Sequence, residues 1–113
     1  MPKYTFAVLS NAVEGKDAEF NEWYTNRHVP DVLDVPGFVA AQRFRLTDVQ
    51  RGNPPFAHRY LALYEIETND LRKTMDALAE RSGTPAMVMS EAFAPGHMAL
   101  LFEPITPKVE KPR

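Results

Sequence analysis

β-forming, largely apolar residues cluster along four stretches of the chain, and apolar residues recur with helical spacing along two others. Lys3 to Asn11 (KYTFAVLSN) is rich in β-forming residues, and the turn residues of Asn11 to Gly15 close it as a first strand. From Asp17 the period changes: Phe20, Trp23, Tyr24 and Arg27/His28 recur every three or four residues, and Asp17 and Glu19 stand in the first turn, where they suit the helix dipole. Pro30 disfavours helical geometry at Val29, so this first helix is expected to end or kink beside His28, with a short turn through Leu33 before Pro36-Gly37. A second strand is expected over Phe38 to Leu46.

Thr47 to Ala57 has no periodicity and holds Gly52, Asn53, Pro54 and Pro55, which reads as a loop between antiparallel strands. His58 to Glu67 is a third strand. Thr68 or Asn69 caps a second helix whose stripe is Leu71, Met75, Leu78 and Ala79, and Gly83 stops it. A Met-containing loop, Thr84 to Ser90, leads to a fourth strand at Ala92 to Phe102. The order is βαββαβ: an α+β, ferredoxin-like fold with a four-stranded antiparallel sheet. Residues 1–102 form the one domain, and 103–113, rich in Pro and Lys, form an extended C-terminal tail.

Both faces of the strands are apolar, and this adds a partner. Tyr60, Ala62, Tyr64 and Ile66 share one face of the third strand and Leu61 and Leu63 the other; Tyr4, Phe6 and Val8 stand against Ala7 and Leu9 in the first; His97, Ala99 and Leu101 against Met98, Leu100 and Phe102 in the fourth. Two helices cover one face only, and a wetted antiparallel face would be polar. The second face is therefore expected to pack on another copy, as a homodimer.

Composition narrows the function. At 113 residues, 44% hydrophobic and 25% charged, the chain is a globular domain without room for a separate cofactor domain. A net charge of -2 with dispersed Lys and Arg gives no nucleic-acid surface. There is no cysteine, which removes disulfides, thiolate nucleophiles and Cys-ligated metals. No stretch approaches the ~20 apolar residues of a membrane span, and the opening residues enter a strand without the pattern of a signal peptide. No membrane partner is expected, and the expected location is cytoplasmic. His28, His58 and His97 lack metal-ligand spacing, so neither a metal nor a cofactor is expected.

The most informative run is Phe20-x-x-Trp23-Tyr24-x-x-x-His28-x-Pro30-x-x-Leu33-x-x-Pro36-Gly37. With the strand order, it resembles the EthD-like group of the dimeric α+β barrel superfamily, from Tyr4 to about Phe102. The resemblance implies a dimeric α+β barrel. It is compatible with cofactor-independent monooxygenases, muconolactone-type isomerases, polyketide cyclases and haem-handling proteins, and the lack of cysteine departs from thiol-using relatives.

Within that frame His28 has two readings: a general base oriented by Asp31, or a cap on a terminal helix carbonyl. Tyr24 and Trp23 offer a hydroxyl and an indole N–H to a ligand, or fill the core. Tyr60 and Tyr64 supply polar contacts in an apolar cavity, or pack in the dimer. Arg43, on one strand face with Arg45, holds a carboxylate or enolate, or stays at a solvated edge. Met87 and Met89 form an adaptable lid or fill the core. The leading expectation is a small cofactor-independent enzyme or enzyme-like binder of an apolar or aromatic metabolite, working between the first helix and the sheet. His28 and Tyr24 would carry proton transfer in an isomerase, dehydratase or lyase step; Trp23, Asp31, Tyr60, Tyr64, Arg43 and Met87 would bind substrate. The alternative is a non-catalytic, homodimeric small-molecule-binding or accessory protein.

Overall fold

The computed structural model describes residues 1–113. Strand β1 (Lys3–Ser10) is followed by α1 (Asp17–Trp23), a π-helical turn (Tyr24–His28) and α2 (Val29–Leu33), then β2 (Phe38–Arg45), β3 (Tyr60–Glu67), α3 (Leu71–Arg81) and β4 (Met98–Phe102). All strands pair antiparallel in the order β2-β3-β1-β4, which is the ferredoxin-like sheet. No helix is long and apolar enough to cross a membrane.

Register decides which side chains meet the helices. Phe6 stands opposite Tyr64 and Leu101, and Val8 opposite Ala62 and Ala99, so these residues share the helix-covered face. Phe20, Tyr24 and Val32 pack onto that face with Phe6, Val8, Tyr64 and Ile66 to form the core. The bulge between Phe38 and Ala40 changes the parity of β2, so that Phe38, Ala41 and Arg43 all point to the helices. A regular strand would have sent Gln42 and Phe44 there instead. No helix covers the other face, which carries Ala7, Leu9, Phe44, Leu61, Leu63 and Leu100; Leu100 is 41% exposed and Phe102 54%.

Three expectations need correction. The first helix, expected to end or kink beside His28, does not end there: its winding changes over the π turn that closes at His28, and it continues to Leu33. Pro30 is accepted because the Val29 N–H bonds back to the Tyr24 carbonyl, five residues earlier, and this widened turn relieves the clash between a proline ring and the carbonyl four residues back. The wide turn also keeps one buried stripe. Residues four apart in an α-helix drift by about 40° per step, so Phe20, Tyr24, His28 and Val32 would wind away from the sheet; a turn closed five residues apart winds them back.

The fourth strand begins at Met98, not Ala92: only Ala12 and Phe93 make an isolated bridge, and Gly96 at φ +91° breaks the run before pairing resumes. The second helix is capped by Asp70, whose carboxylate accepts from the Lys73 N–H at 3.0 Å, while the Thr68 hydroxyl bonds Thr74 at 2.9 Å. Residues 103–113 have no regular structure and are exposed. Their extension helps to raise the radius of gyration to 15.4 Å, against about 13 Å for a compact chain of this size.

Candidate functional site

A cavity of about 380 Å³ opens between the helices and the face of the sheet that they cover. Tyr24, His28 and Val32 come from the first helix; Phe6, Val8, Tyr64 and Ala99 from the sheet; Met75, Leu78 and Ala79 from α3; and Met87, Met89, Phe93 and His97 from the segment before β4. Its volume lies in the range of small-molecule sites. No Lys, Arg, Asp or Glu lines it.

His28 reaches this wall because the π turn carries it there. Its ring lies on the indole of Trp23, centroids 4.6 Å apart and 25° from parallel, and meets the Tyr24 ring edge-on at 4.9 Å. Its Nδ1 is buried without a hydrogen-bond partner, and the ring caps no helix end. Burial in this aromatic setting pushes its pKa down to about 4; the Asp31 carboxylate opposes that shift, and the Arg43 charge adds to it. His28 is therefore a neutral imidazole at pH 7.

The hydroxyls of Tyr24 and Tyr64 are also buried, close enough to affect each other's proton affinity, but neither completes a well-formed hydrogen bond. Desolvation raises the pKa of both, so both remain protonated donors. A neutral nitrogen base and two neutral phenols thus stand at an apolar cavity. Three buried polar atoms without partners are costly in a folded domain and are met in sites that receive a ligand.

Of the side chains singled out from sequence, His28, Tyr24, Tyr64 and Met87 line the cavity together, and Trp23, Asp31, Tyr60 and Arg43 do not. Trp23 stands behind His28, and its Nε1–H donates to the Val88 carbonyl at 2.9 Å, tying down the loop that carries Met87 and Met89. Asp31 pairs with Arg27 at 3.5 Å and makes no hydrogen bond to His28. Tyr60 donates to Asp17 at 2.6 Å and accepts from Asn21 at 3.2 Å. Arg43 lies over the Tyr24 ring, 4.4 Å from its centroid, and bonds helix side chains, because the bulge in β2 turns it toward the first helix. His97, Phe93, Met75 and Leu78 line the cavity too, although the sequence places none of them at a site. His97 shares the parity of Ala99 and Leu101, and that pattern is the one sequence signal that puts it on the helix side. No group of three or more His, Asp or Glu side chains is gathered to hold a metal ion.

No family model and no curated protein matches the chain. Solved structures do. An EthD family protein of Bacillus halodurans superposes with a TM-score of 0.61 at 21% identity, over 93% of this chain and 100% of that one. An EthD-like protein of Ralstonia eutropha gives 0.60 at 16% identity, over 96% of each chain. The chain has their fold. The haem degrader MhuD of Mycobacterium tuberculosis, solved with two haems in its active site, has it too: TM-score 0.61 at 17% identity, over 94% of this chain and 99% of that one. The ferredoxin-like α+β fold expected from the strand order and the Phe20 to Gly37 run is thus the fold observed.

Proposed function

We propose that the chain is a small enzyme-like protein that binds one uncharged, largely apolar or aromatic molecule in the His28 cavity, with His28 as the proton-transfer residue. The observation that carries this reading is the neutral, unpartnered imidazole beside two phenol hydroxyls that lack partners. A base of that kind accepts a proton from an acidic C–H or O–H, and Tyr24 and Tyr64 supply donors to an oxygen on which charge develops. An isomerisation, dehydration or lyase step next to a carbonyl uses this set. The lack of a cationic side chain in the wall disfavours carboxylates and phosphates, whose burial would go uncompensated.

The test compares 1-naphthol with 1-naphthoate, read through the single tryptophan. Naphthol is expected to bind and naphthoate to bind at least tenfold more weakly, with His28→Ala abolishing naphthol binding at a stability cost of about 1–2 kcal/mol. Equal binding of naphthol by His28→Ala would remove His28 from the site. Binding that depends on His28, with no turnover of any retained ligand, would favour the accessory-protein alternative. MhuD makes haem a second ligand to try. Its carboxylates would find no Lys or Arg in the lining, so no Soret shift is expected on adding haem.

The open sheet face supports a homodimer: Leu61, Leu63, Leu100 and Phe44 form an apolar surface that no element of the same chain covers. Leu63→Asp is expected to dissociate a dimer in sedimentation experiments. A wild-type monomer at micromolar concentration would overturn this assignment. The dimer surface and the cavity lie on opposite faces of the sheet.

A further inference from the structure

We propose that Arg43 is a positioning residue for the His28 site, a guanidinium clamp that holds the first helix in the widened turn presenting His28 to the cavity. The inference rests on the reading of His28 given above. Arg43 leaves β2 on the helix-covered face only because of the bulge between Phe38 and Ala40. Its Nη1 donates to the Thr25 hydroxyl at 2.8 Å and its Nη2 to the Asn21 side-chain oxygen at 2.9 Å, while its Cζ lies over the Tyr24 ring. Asn21 belongs to α1; Tyr24 and Thr25 belong to the π turn. One fork thus grips the helix on both sides of the point where its winding changes.

The clamp extends further. Asn21 donates to the Tyr60 hydroxyl, which donates to Asp17, so Asp17, Asn21 and Thr25, four residues apart, form a polar row parallel to the Phe20, Tyr24, His28 row. Arg43 makes no ion pair with any carboxylate. A half-buried guanidinium with neutral oxygens and an aromatic face as its partners is a planar, directional fastener, a role that lysine's point charge does not fill. A π turn is less favourable than regular α winding, and these bonds offset that cost where the turn needs it.

The groups facing His28 are Trp23 and Tyr24 on its own helix, Asp31 one turn on, the Arg43 charge from the sheet, and, lining the same cavity, Tyr64 of β3 and His97 of the segment before β4. Releasing the clamp lets water reach the imidazole and removes a cation, and both changes act in the same direction on its protonation. The test is an NMR titration of the imidazole nitrogens in the full chain, with the His28 signals assigned through His28→Gln.

In Arg43→Met the His28 midpoint is expected to rise by about half a unit or more, and 1-naphthol binding to weaken about tenfold. Arg43→Lys, which keeps the charge but not the fork, is expected to leave binding weakened as well. Thr25→Val removes one acceptor at constant shape and should move the midpoint the same way by less, so the proposal stays testable should Arg43→Met fail to fold. An unmoved midpoint in Thr25→Val and in every folded Arg43 variant overturns the proposal, as does full binding by Arg43→Lys. Failure of the functional reading shows separately, as naphthol binding that ignores His28→Ala, because the titration needs no ligand.

Discussion

The indole of Trp23 is stacked on the imidazole of His28 while its N–H holds the backbone carbonyl of Val88, so one side chain fixes both the candidate base and the methionine loop. Trp23 is the only tryptophan. Its emission is therefore expected to report on its neighbour: protonating His28 puts a cation on the indole face and quenches it, with a midpoint near 4. A fluorescence titration checks this, and His28→Gln should erase the step. Trp23→Phe should cost about 1 kcal/mol for the lost hydrogen bond and increase hydrogen exchange through the loop at Met87 to Met89.

Stability should depend on pH through His28. Above its ordinary value of 6.5 the ring is neutral whether the chain is folded or unfolded, and it contributes no dependence. As pH falls from 6.5 toward 4, the unfolded chain takes up a proton that the folded chain refuses, so stability falls; below 4 both states bind it and the loss levels off. The loss attributable to His28 is expected to be about 1–3 kcal/mol. Urea unfolding of the wild type and His28→Gln between pH 7 and 4 checks it, since the variant should lack this component.

Gly37 closes the turn before β2 with φ +100°, and a Cβ there would meet the Thr74 side chain at 3.1 Å. Thr74 cannot swing away freely, because its hydroxyl bonds Thr68 and the Asp70 carbonyl. Gly37→Ala is expected to destabilise the fold by about 1–3 kcal/mol. Gly83→Ala, also at positive φ but with open space around its Cβ, should cost less. Thermal unfolding of the two variants side by side is the measurement.

Deleting Lys108 to Arg113 should leave the melting temperature nearly unchanged. These residues are exposed and belong to no regular element; Val109 is 84% exposed and Lys108 pairs only with Glu110, at 4.0 Å. A drop of more than a few degrees would mean that the tail lies against a partner chain.

The β-rich apolar runs Tyr4 to Leu9 and Tyr60 to Ile66, with helical spacing between, made the ferredoxin-like order readable. The π turn was not readable in the same way. Pro30 signals a helix end by local sterics, and only packing of Phe20, Tyr24, His28 and Val32 on one face explains why the helix continues. The first-helix side of the cavity wall was legible because Tyr24 and His28 are neighbours on one helix; Met75 and Leu78 join them through long-range packing that a single helical stripe does not announce. The contact of Arg43 with the first helix was hidden for a third reason: a bulge reverses strand parity, and the run Phe38-Val39-Ala40 carries no glycine or proline to mark one.

The spacing of the buried helix row, four residues at each step from Phe20 to Val32, leaves the chain one residue longer than regular winding requires. Loss of Thr25, Asn26 or Arg27 would give the steps four, three, four, which an unbroken α-helix satisfies. One codon thus separates a plain scaffold from a helix bearing a wide turn. A three-nucleotide insertion or deletion in a lineage therefore adds or removes the wide turn, while the sheet, the core and the order of the strands stay as they are.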